Sequence, residues 1–178
     1  SIAFNLAKRG TTNVVVLEKN FIASGATGKS SACIRQHYST EMTARMVRRS
    51  LDIFENFADA VGGPAGFTKT GYLMGVPERD FAALKKVVAM QQQVGINTRL
   101  ITPEDIREIE PRTRVEDFAG GAWEPDSGYA DPSDTTSSFI RRARELGVQL
   151  HQGTEVVGLK LTGGAVSEVV TNQGNFSA

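Results

Sequence analysis

One stretch of the sequence, Ser24–Ser39, concentrates small, hydroxyl-bearing and basic residues in the order SGATGKSSACIRQHYS. With Ala23 in front, it satisfies the loose phosphate-loop pattern A-x-x-x-x-G-K-S and places Lys29 and Ser30 at the lysine and hydroxyl positions. In such a loop, backbone N–H groups and the lysine hold the phosphates of a nucleoside triphosphate, and the hydroxyl binds magnesium. The pattern raises phosphoryl transfer as one chemistry, with a different nucleotide-binding role as the alternative.

The sequence around this stretch opposes a triphosphate loop. The strand before it ends at residues 18–20, several positions too early, because a triphosphate loop follows its strand directly. Residues 31–37 (SACIRQH) lack the helical pattern that should begin at the Lys–Ser pair, and no later apolar strand ends in a magnesium-binding aspartate. We therefore favour a loop that approaches a different ligand.

The acidic residue Glu18 ends a short β-branched run, residues 13–18 (NVVVLE), which predicts a parallel strand covered on both faces. Residues 1–10 precede it with a helical apolar pattern, so helix and strand form the second half of a βαβ unit. In a dinucleotide-binding unit, the carboxylate at this strand end binds the adenosine ribose and disfavours the 2′-phosphate of NADP. The alternative for Glu18 is an ordinary surface carboxylate.

The start of the chain bears on this interpretation. The glycines of a dinucleotide fingerprint lie about 20 residues ahead of the acid, which places them before Ser1. The sequence also begins without an initiator Met. We therefore expect it to be a fragment.

The composition is that of an ordinary globular chain. Its 178 residues carry 20 basic and 20 acidic side chains, so no net charge directs it to nucleic acid or an anionic membrane. No apolar run approaches the ~20 residues of a membrane span, and the first residues lack the layout of a signal peptide, which predicts a cytoplasmic or matrix-like setting. The single cysteine, Cys33, has no partner for a disulfide or a zinc site, so we predict no metal.

Helical and strand-like segments alternate along the rest of the chain and predict an α/β fold. Helical spacing with capping or stop signals predicts helices over residues 41–61, 79–94, 102–111 and 131–147. β-branched or alternating segments predict strands over residues 67–76, 148–151, 154–161 and 166–171. We expect a nucleotide-binding domain that a middle segment interrupts.

Two blocks, VVVLEK and SGATGKSSACIRQHYS, resemble the flavin-dependent amine oxidoreductases of the D-amino-acid oxidase and sarcosine oxidase superfamily. Within it, they are most similar to the group of sarcosine oxidase β-subunit, dimethylglycine dehydrogenase and proline dehydrogenase β-subunit. The resemblance extends to Asp126–Pro132 (DSGYADP) and to Gly153–Val157 (GTEVV). It implies a Rossmann-like FAD-binding domain of the glutathione-reductase type, interrupted by an α+β substrate domain and truncated at both ends. The expected parts are residues 1–63 (FAD-binding), 64–130 (substrate-binding) and 131–178 (FAD-binding).

The resemblance also implies which residues bind FAD. The strand-end acid binds the ribose, and the following loop passes the ribose and pyrophosphate toward the flavin ring. The backbone at Val156 or Val157 meets the adenine. The expected cofactor-binding residues are Glu18, Lys19, Ser24, Ala26, Thr27, Lys29, Ser30, Ser31, Ala32 and Val156. Some relatives tether the flavin through a histidine of this loop; because Lys29 stands at that position, we expect non-covalent FAD.

Arg35 aligns, by the same resemblance, with the arginine that holds the substrate carboxylate in sarcosine oxidases, and His37 and Tyr38 are expected to line the same pocket. A guanidinium suits this role because it pairs bidentately with a carboxylate. The alternatives are a surface arginine and simple packing of the other two side chains.

The implied activity is oxidation of a small secondary or tertiary amino acid, such as sarcosine, dimethylglycine or proline. A hydride passes to the flavin, and the resulting imine hydrolyses. Oxygen or a carrier protein would accept the electrons, and the chain could form homo- or hetero-oligomers. An NAD-dependent dehydrogenase and a non-catalytic nucleotide-binding subunit are the alternatives.

Overall fold

The structure is a computed structural model that describes residues 1–11 and 13–178, and its backbone divides into two compact units. The first unit contains residues 1–30, 61–65 and 131–178, and the second contains residues 31–60 and 66–130. This division differs from the expected one at its first boundary, because residues 31–60 group with the second unit rather than with the nucleotide-binding segments.

Helices and strands alternate as an α/β fold requires. The helices are α1 (Ile2–Lys8), α2 (Glu41–Glu55), α3 (Phe57–Ala60), α4 (Glu78–Gln93), α5 (Pro103–Ile109) and α6 (Pro132–Glu145). The strands are β1 (Val15–Glu18), β2 (Cys33–Ile34), β3 (Thr68–Lys69), β4 (Tyr72–Val76), β5 (Arg99–Ile101), β6 (Gly120–Glu124), β7 (Gly128–Tyr129), β8 (Gln149–Gln152), β9 (Val156–Thr162), β10 (Ala165–Thr171) and β11 (Gly174–Ser177). No helix of the described residues is long and apolar enough to span a bilayer.

A parallel pair of strands, β1 and β8, forms the centre of the first unit, with Glu18 opposite Gln152 at their carboxyl ends. Helices α1 and α6 pack together, and the rings of Phe4 and Phe139 lie 5.5 Å apart. The predicted parallel strand is therefore confirmed. The expectation that both faces of this strand are covered is wrong for Val15, whose side chain is 38% exposed. Successive side chains of a strand point to opposite faces, and it is the neighbouring Val16 that faces the helices.

The first unit also contains an antiparallel sheet in the order β11–β10–β9. Strands β9 and β10 were predicted, whereas β11 was not, because its residues GNFS carry no run of β-branched side chains. The helix predicted to begin at Asp131 is confirmed. The Asp131 carboxylate accepts hydrogen bonds from the N–H groups of Ser133 (2.7 Å) and Asp134 (2.8 Å), and Pro132 occupies the first turn.

The second unit contains two antiparallel sheets, in the orders β4–β6–β5 and β2–β7–β3. Helices α4 and α5 pack against β6. The apolar core around them consists of Val76, Leu84, Val88, Ile101, Ile106, Val115 and Ala122. Strand β2 belongs to this unit because Cys33 pairs with Tyr129 of β7.

Two predicted elements of the second unit are interrupted. The strand expected over residues 67–76 breaks at Gly71, whose φ of +79° is a left-handed conformation that suits glycine. The helix expected over residues 41–61 ends at Glu55, and a short separate helix follows Asn56. By contrast, the capping box at Thr102 is confirmed, because its hydroxyl accepts from Asp105 N–H (3.2 Å) while the Asp105 carboxylate accepts from Thr102 N–H (2.8 Å).

Candidate functional site

The carboxylate of Glu18 lies at the carboxyl end of β1, where a parallel sheet binds ligands. Its Oε1 atom accepts hydrogen bonds from the Asn20 backbone N–H (2.8 Å) and the Ser24 hydroxyl (3.4 Å). Across residues 1–11 and 13–178, no donor is recorded on Oε2. The carboxylate is thus held in place through one oxygen and retains the other for a ligand hydroxyl.

Backbone hydrogen bonds join the segments that leave β1 and β8. Thr154 N–H donates to the carbonyl of Glu18 at 2.9 Å, and Gly153 N–H donates to that of Asn20 at 3.1 Å. The side-chain carbonyl of Gln152 accepts from Ile22 N–H at 3.0 Å. These bonds hold the start of the loop 21–30 against the segment that follows β8.

The loop 21–30 is a succession of turns rather than a strand-to-helix junction. Ala23 has a φ of +64°, which is unusual for a residue with a Cβ. Gly28 N–H donates to the Ala23 carbonyl at 3.1 Å, an approach that leaves no room for a Cβ on Gly28. No helix begins at Lys29, so the geometry of a triphosphate loop is absent from this described segment.

An open cavity of about 710 Å³ lies beside Glu18; we call it the strand-end cavity. It is lined by Leu17, Glu18, Lys19, Asn20, Ser24, Gly25, Lys29, Thr154, Glu155 and Val156. Five of the expected cofactor-binding residues are brought together here: Glu18, Lys19, Ser24, Lys29 and Val156. The Lys19 ammonium lies 3.9 Å from a carboxylate oxygen of Glu155, which sequence reasoning did not select.

The other expected cofactor-binding residues lie elsewhere. Thr27 lines a second cavity of about 510 Å³, which Glu18 also borders. Ala26 and Ser30 are exposed and are not among the residues lining either cavity. Ser31 and Ala32 fall in the second compact unit, so the loop predicted as one continuous FAD contact is divided after Ser30.

The strand-end cavity has groups of the chemical types that a dinucleotide requires. A carboxylate suits the ribose diol, the ammonium groups of Lys19 and Lys29 suit phosphate oxygens, and the extended backbone at Val156 suits the edge of a flat base. A Cβ built on Gly25 meets nothing within 4 Å, so this side of the cavity is open. The residues present therefore fit FAD.

In the second unit, Arg35 is surrounded by tyrosines. Its Nη1 donates to the Tyr72 hydroxyl at 3.2 Å, and its guanidinium carbon lies 5.0 Å from the Tyr38 ring centroid and 5.7 Å from that of Tyr72. The hydrogen bond with Tyr72 is the main reason why the pKa of Arg35 rises above its ordinary value. We call Arg35, Tyr38 and Tyr72 the arginine–tyrosine cluster; it presents a fixed cation on an exposed residue.

A buried carboxylate lies behind this cluster. Glu124, at the end of β6, is fully buried, and its Oε2 accepts from the Gln36 backbone N–H (3.0 Å) and the Ser127 hydroxyl (2.9 Å). Its Oε1 lies 3.2 Å from Nδ1 of His37, whose ring centroid is 6.4 Å from that of Tyr72. The structure thus places Arg35 and His37 beside Tyr72, and Tyr38 beside Arg35; that they share one substrate pocket stays a prediction.

Sequence reasoning missed Tyr72, Glu124 and Ser127. The available signal was the single acidic residue in the otherwise apolar and glycine-rich segment Gly120–Glu124 (GGAWE). A charged side chain at a strand position of this kind is seldom fully buried without bonded partners. That signal marks Glu124 as a residue of interest, although it does not identify its partners.

The turn after β6 is held by a second group of polar contacts. The Asp126 carboxylate accepts hydrogen bonds from Asn97 Nδ2 (2.8 Å) and Lys69 Nζ (3.2 Å). These bonds lower the pKa of Asp126, and the bond from Asn97 has the larger effect. The Ser127 carbonyl accepts the backbone N–H groups of Thr70 (3.2 Å) and Gly71 (2.8 Å). The turn therefore fixes Ser127 against Glu124.

Comparison with known proteins supports a flavoprotein assignment. The profile of the family described as FAD-dependent oxidoreductase (DAO) matches residues 1–178. The chain is 29% identical over 183 residues to sarcosine oxidase subunit beta of Arthrobacter sp, covering 99% of this chain and 45% of that protein. It is 25% identical over 177 residues to the mitochondrial pyruvate dehydrogenase phosphatase regulatory subunit of Mus musculus, covering 99% of this chain and 20% of that protein.

A solved structure gives a similar result. The crystal structure of L-proline dehydrogenase from P. horikoshii superimposes with a TM-score of 0.89 at 34% sequence identity, covering 99% of this chain and 46% of that one. The chain therefore spans less than half the length of each of these three relatives.

Proposed function

The chain belongs to the DAO family of FAD-dependent oxidoreductases, and on that premise we propose that its protein oxidises the C–N bond of a small secondary or tertiary amino acid. The substrate is an N-methylated glycine or proline, and the products are an imine, which water hydrolyses, and reduced flavin. Proteins named for sarcosine, dimethylglycine and L-proline oxidation are among the relatives, which supports this substrate class.

The observation that carries the substrate class is the arginine–tyrosine cluster. A guanidinium that is oriented by a hydroxyl and packed against two rings can pair with a carboxylate at little further entropic cost. Arg35 then neutralises the substrate carboxylate and fixes the adjacent carbon, while Tyr38 and Tyr72 form the walls around it. In this proposal the second unit is the substrate-binding part.

The first unit is the FAD-binding part, and the strand-end cavity holds the adenosine end of the cofactor. Glu18 would bind the ribose hydroxyls, and Lys19 and Lys29 would offset the charge of the pyrophosphate. FAD, when bound, accepts the hydride from the C–H bond beside the substrate nitrogen. The family membership favours FAD over the nicotinamide cofactor considered from the sequence alone.

The test is the visible absorption spectrum of the purified protein, recorded without oxygen before and after addition of sarcosine, dimethylglycine or proline. Flavin bands that bleach with one of these amines are expected. Acid precipitation should leave the flavin in the supernatant, because Lys29 replaces the tethering histidine. Folded protein that takes up FAD but is reduced by none of the three would contradict the proposed substrate class.

A second function, as a non-catalytic subunit, is favoured by the similarity to a pyruvate dehydrogenase phosphatase regulatory subunit. This alternative predicts bound flavin with no response to any amine. Full reduction by one amine, at a rate that saturates with its concentration, would exclude it. The proposed electron acceptor is oxygen or a carrier protein, and the proposed location is the cytoplasm.

A further inference from the structure

The pairing of His37 with the buried Glu124 has no part in the function proposed so far. A carboxylate that is fully buried is costly unless its oxygens are bonded, and Glu124 has donors on both. Two of these donors, the Gln36 N–H and the Ser127 hydroxyl, already hold its Oε2. The imidazole supplies the donor on Oε1, so it satisfies the buried carboxylate and is itself held in one place by it.

The hydrogen bond to Glu124 fixes the tautomer of His37. When Glu124 is ionised it can only accept, and this bond then places the hydrogen on Nδ1 and leaves Nε2 as the basic nitrogen of the neutral ring. No residue within 1–11 and 13–178 is recorded as a partner of Nε2, and Nε2 is not among the buried polar atoms without a partner. This nitrogen therefore keeps some contact with solvent in a side chain that is only 8% exposed.

Tyr72 relates this nitrogen to the candidate carboxylate site. Its ring lies against the imidazole of His37 and the guanidinium of Arg35, and its hydroxyl bonds the latter. The charged or titratable groups facing His37 are thus Glu124 on β6 and Tyr72 on β4, with Arg35 beyond Tyr72. In an amino acid the nitrogen is only two bonds from the carboxylate carbon, so a substrate held by Arg35 keeps its nitrogen near Tyr72, the ring that Arg35 and His37 share.

We propose that His37 is the catalytic base that removes a proton from the ammonium group of the bound amino acid, and that Glu124 is the residue that positions it. This inference rests on the proposed function. The N–H bond of the ammonium breaks, and a bond forms between that proton and Nε2, giving a neutral amine and an imidazolium paired with Glu124. The neutral amine retains the lone pair that hydride loss from the neighbouring carbon requires.

The first experiment measures the rate of flavin reduction by proline, without oxygen, from pH 6 to 10.5 in the FAD-loaded protein. For His37→Gln we expect a rate about 100-fold lower near neutral pH, the low end of what a general base contributes. The difference in rate between His37→Gln and the wild type should become smaller at high pH, because the amine there loses its proton to solvent. Glu124→Gln should give a smaller loss of the same kind. His151→Gln, which makes the same change at the other histidine, in the first unit, should keep the wild-type rate and pH profile.

The second experiment measures binding without turnover, by calorimetry with tetrahydrofuran-2-carboxylate, the oxygen analogue of proline. Its ring oxygen can only accept a hydrogen bond, so it should bind best when His37 is protonated. Wild-type affinity should rise as the pH falls from 8 to 6, and the affinity of His37→Gln should not change over this range. Binding in buffers of different ionisation enthalpy should show proton uptake by the wild type only.

The outcomes separate the two proposals. If no amine reduces the wild-type flavin, the proposed function fails and the inference fails with it. If the wild type is reduced and folded His37→Gln retains the same pH profile and the same proton uptake, only the role of His37 is wrong. A uniform loss of rate at every pH would indicate a structural role for His37 and would also overturn the inference.

Discussion

The Arg35 guanidinium donates to the Tyr72 hydroxyl at 3.2 Å, which joins the segment that follows β2 to β4. Because the same ring also contacts the guanidinium through its face, Arg35 is held in one orientation. A cation held in this way discriminates a carboxylate by position as well as by charge.

Substitution of Arg35 by Met should weaken the apparent affinity for proline or sarcosine about 10- to 100-fold, the value of a charged hydrogen-bonded pair. The measurement is the amine concentration that gives half-maximal flavin reduction. Arg45→Met is the matched control, because it removes a guanidinium that pairs with Glu41 on the surface of α2. An unchanged affinity in Arg35→Met would show that Arg35 does not bind the substrate.

Substitution of Glu18 by Gln should weaken FAD binding about 10-fold, since an amide replaces a charged acceptor for the ribose hydroxyls. The amide oxygen can still accept from Asn20, so the loop should keep its conformation. Quenching of flavin fluorescence gives the dissociation constant. Glu155→Gln removes an equal charge from the same cavity and should change the dissociation constant of FAD less than threefold. Equal effects of the two substitutions would show that the charge of the cavity matters and that Glu18 has no specific role.

Substitution of Gly28 by Ala should destabilise the protein by about 1–3 kcal/mol, because the added Cβ would overlap the Ala23 carbonyl. Gly25→Ala is the control, since a Cβ there meets nothing within 4 Å and the φ of Gly25 is not positive. Urea unfolding of the FAD-free protein measures both variants. Equal stability of the two would mean that the turn at Gly28 is not packed as described.

Substitution of Asp126 by Asn should destabilise the protein at pH 7 by about 1 kcal/mol, since it removes the negative charge and one of the two oxygens that accept from Asn97 and Lys69. The folded-state pKa of Asp126 lies below its ordinary value of 3.8. Its contribution is therefore present above pH 3.8 and is lost as the pH falls through the lower, folded-state pKa. The difference in unfolding free energy between the wild type and Asp126→Asn should be present at pH 7 and should disappear in acid. For Glu145→Gln, on the surface of α6, this difference should be small at both pH values.

Local signals allowed much of the fold to be predicted from the sequence. The helix that begins after Thr102 is specified by a capping box whose two partners are three residues apart. The helix after Asp131 is specified by its N-cap carboxylate, which accepts from the next two non-proline N–H groups. The parallel strand ending at Glu18 followed from its β-branched run. These features depend on neighbours within one turn, so the sequence carries them directly.

The site depends on contacts that no short window contains. Glu124 bonds Gln36 and His37 across 88 and 87 positions of sequence, so no spacing rule relates them. The need for glycine at position 71 likewise comes from a distant residue, since a Cβ there would clash with Trp123. Resemblance could select Arg35, His37 and Tyr38, but only the pairing of β4 with β6 shows what lies beside them.

The pairing of β1 with β8 sets an order of events during synthesis. The contact between Ile22 and Gln152 spans 130 residues, so the first strand leaves the ribosome long before its partner exists. Residues 66–130 of the second unit are complete by then, and every strand of that unit can pair first. Until β8 emerges, the apolar segment Val14–Leu17 lacks the partner that it has among residues 1–11 and 13–178, so its β-branched side chains are exposed to aggregation in the nascent chain.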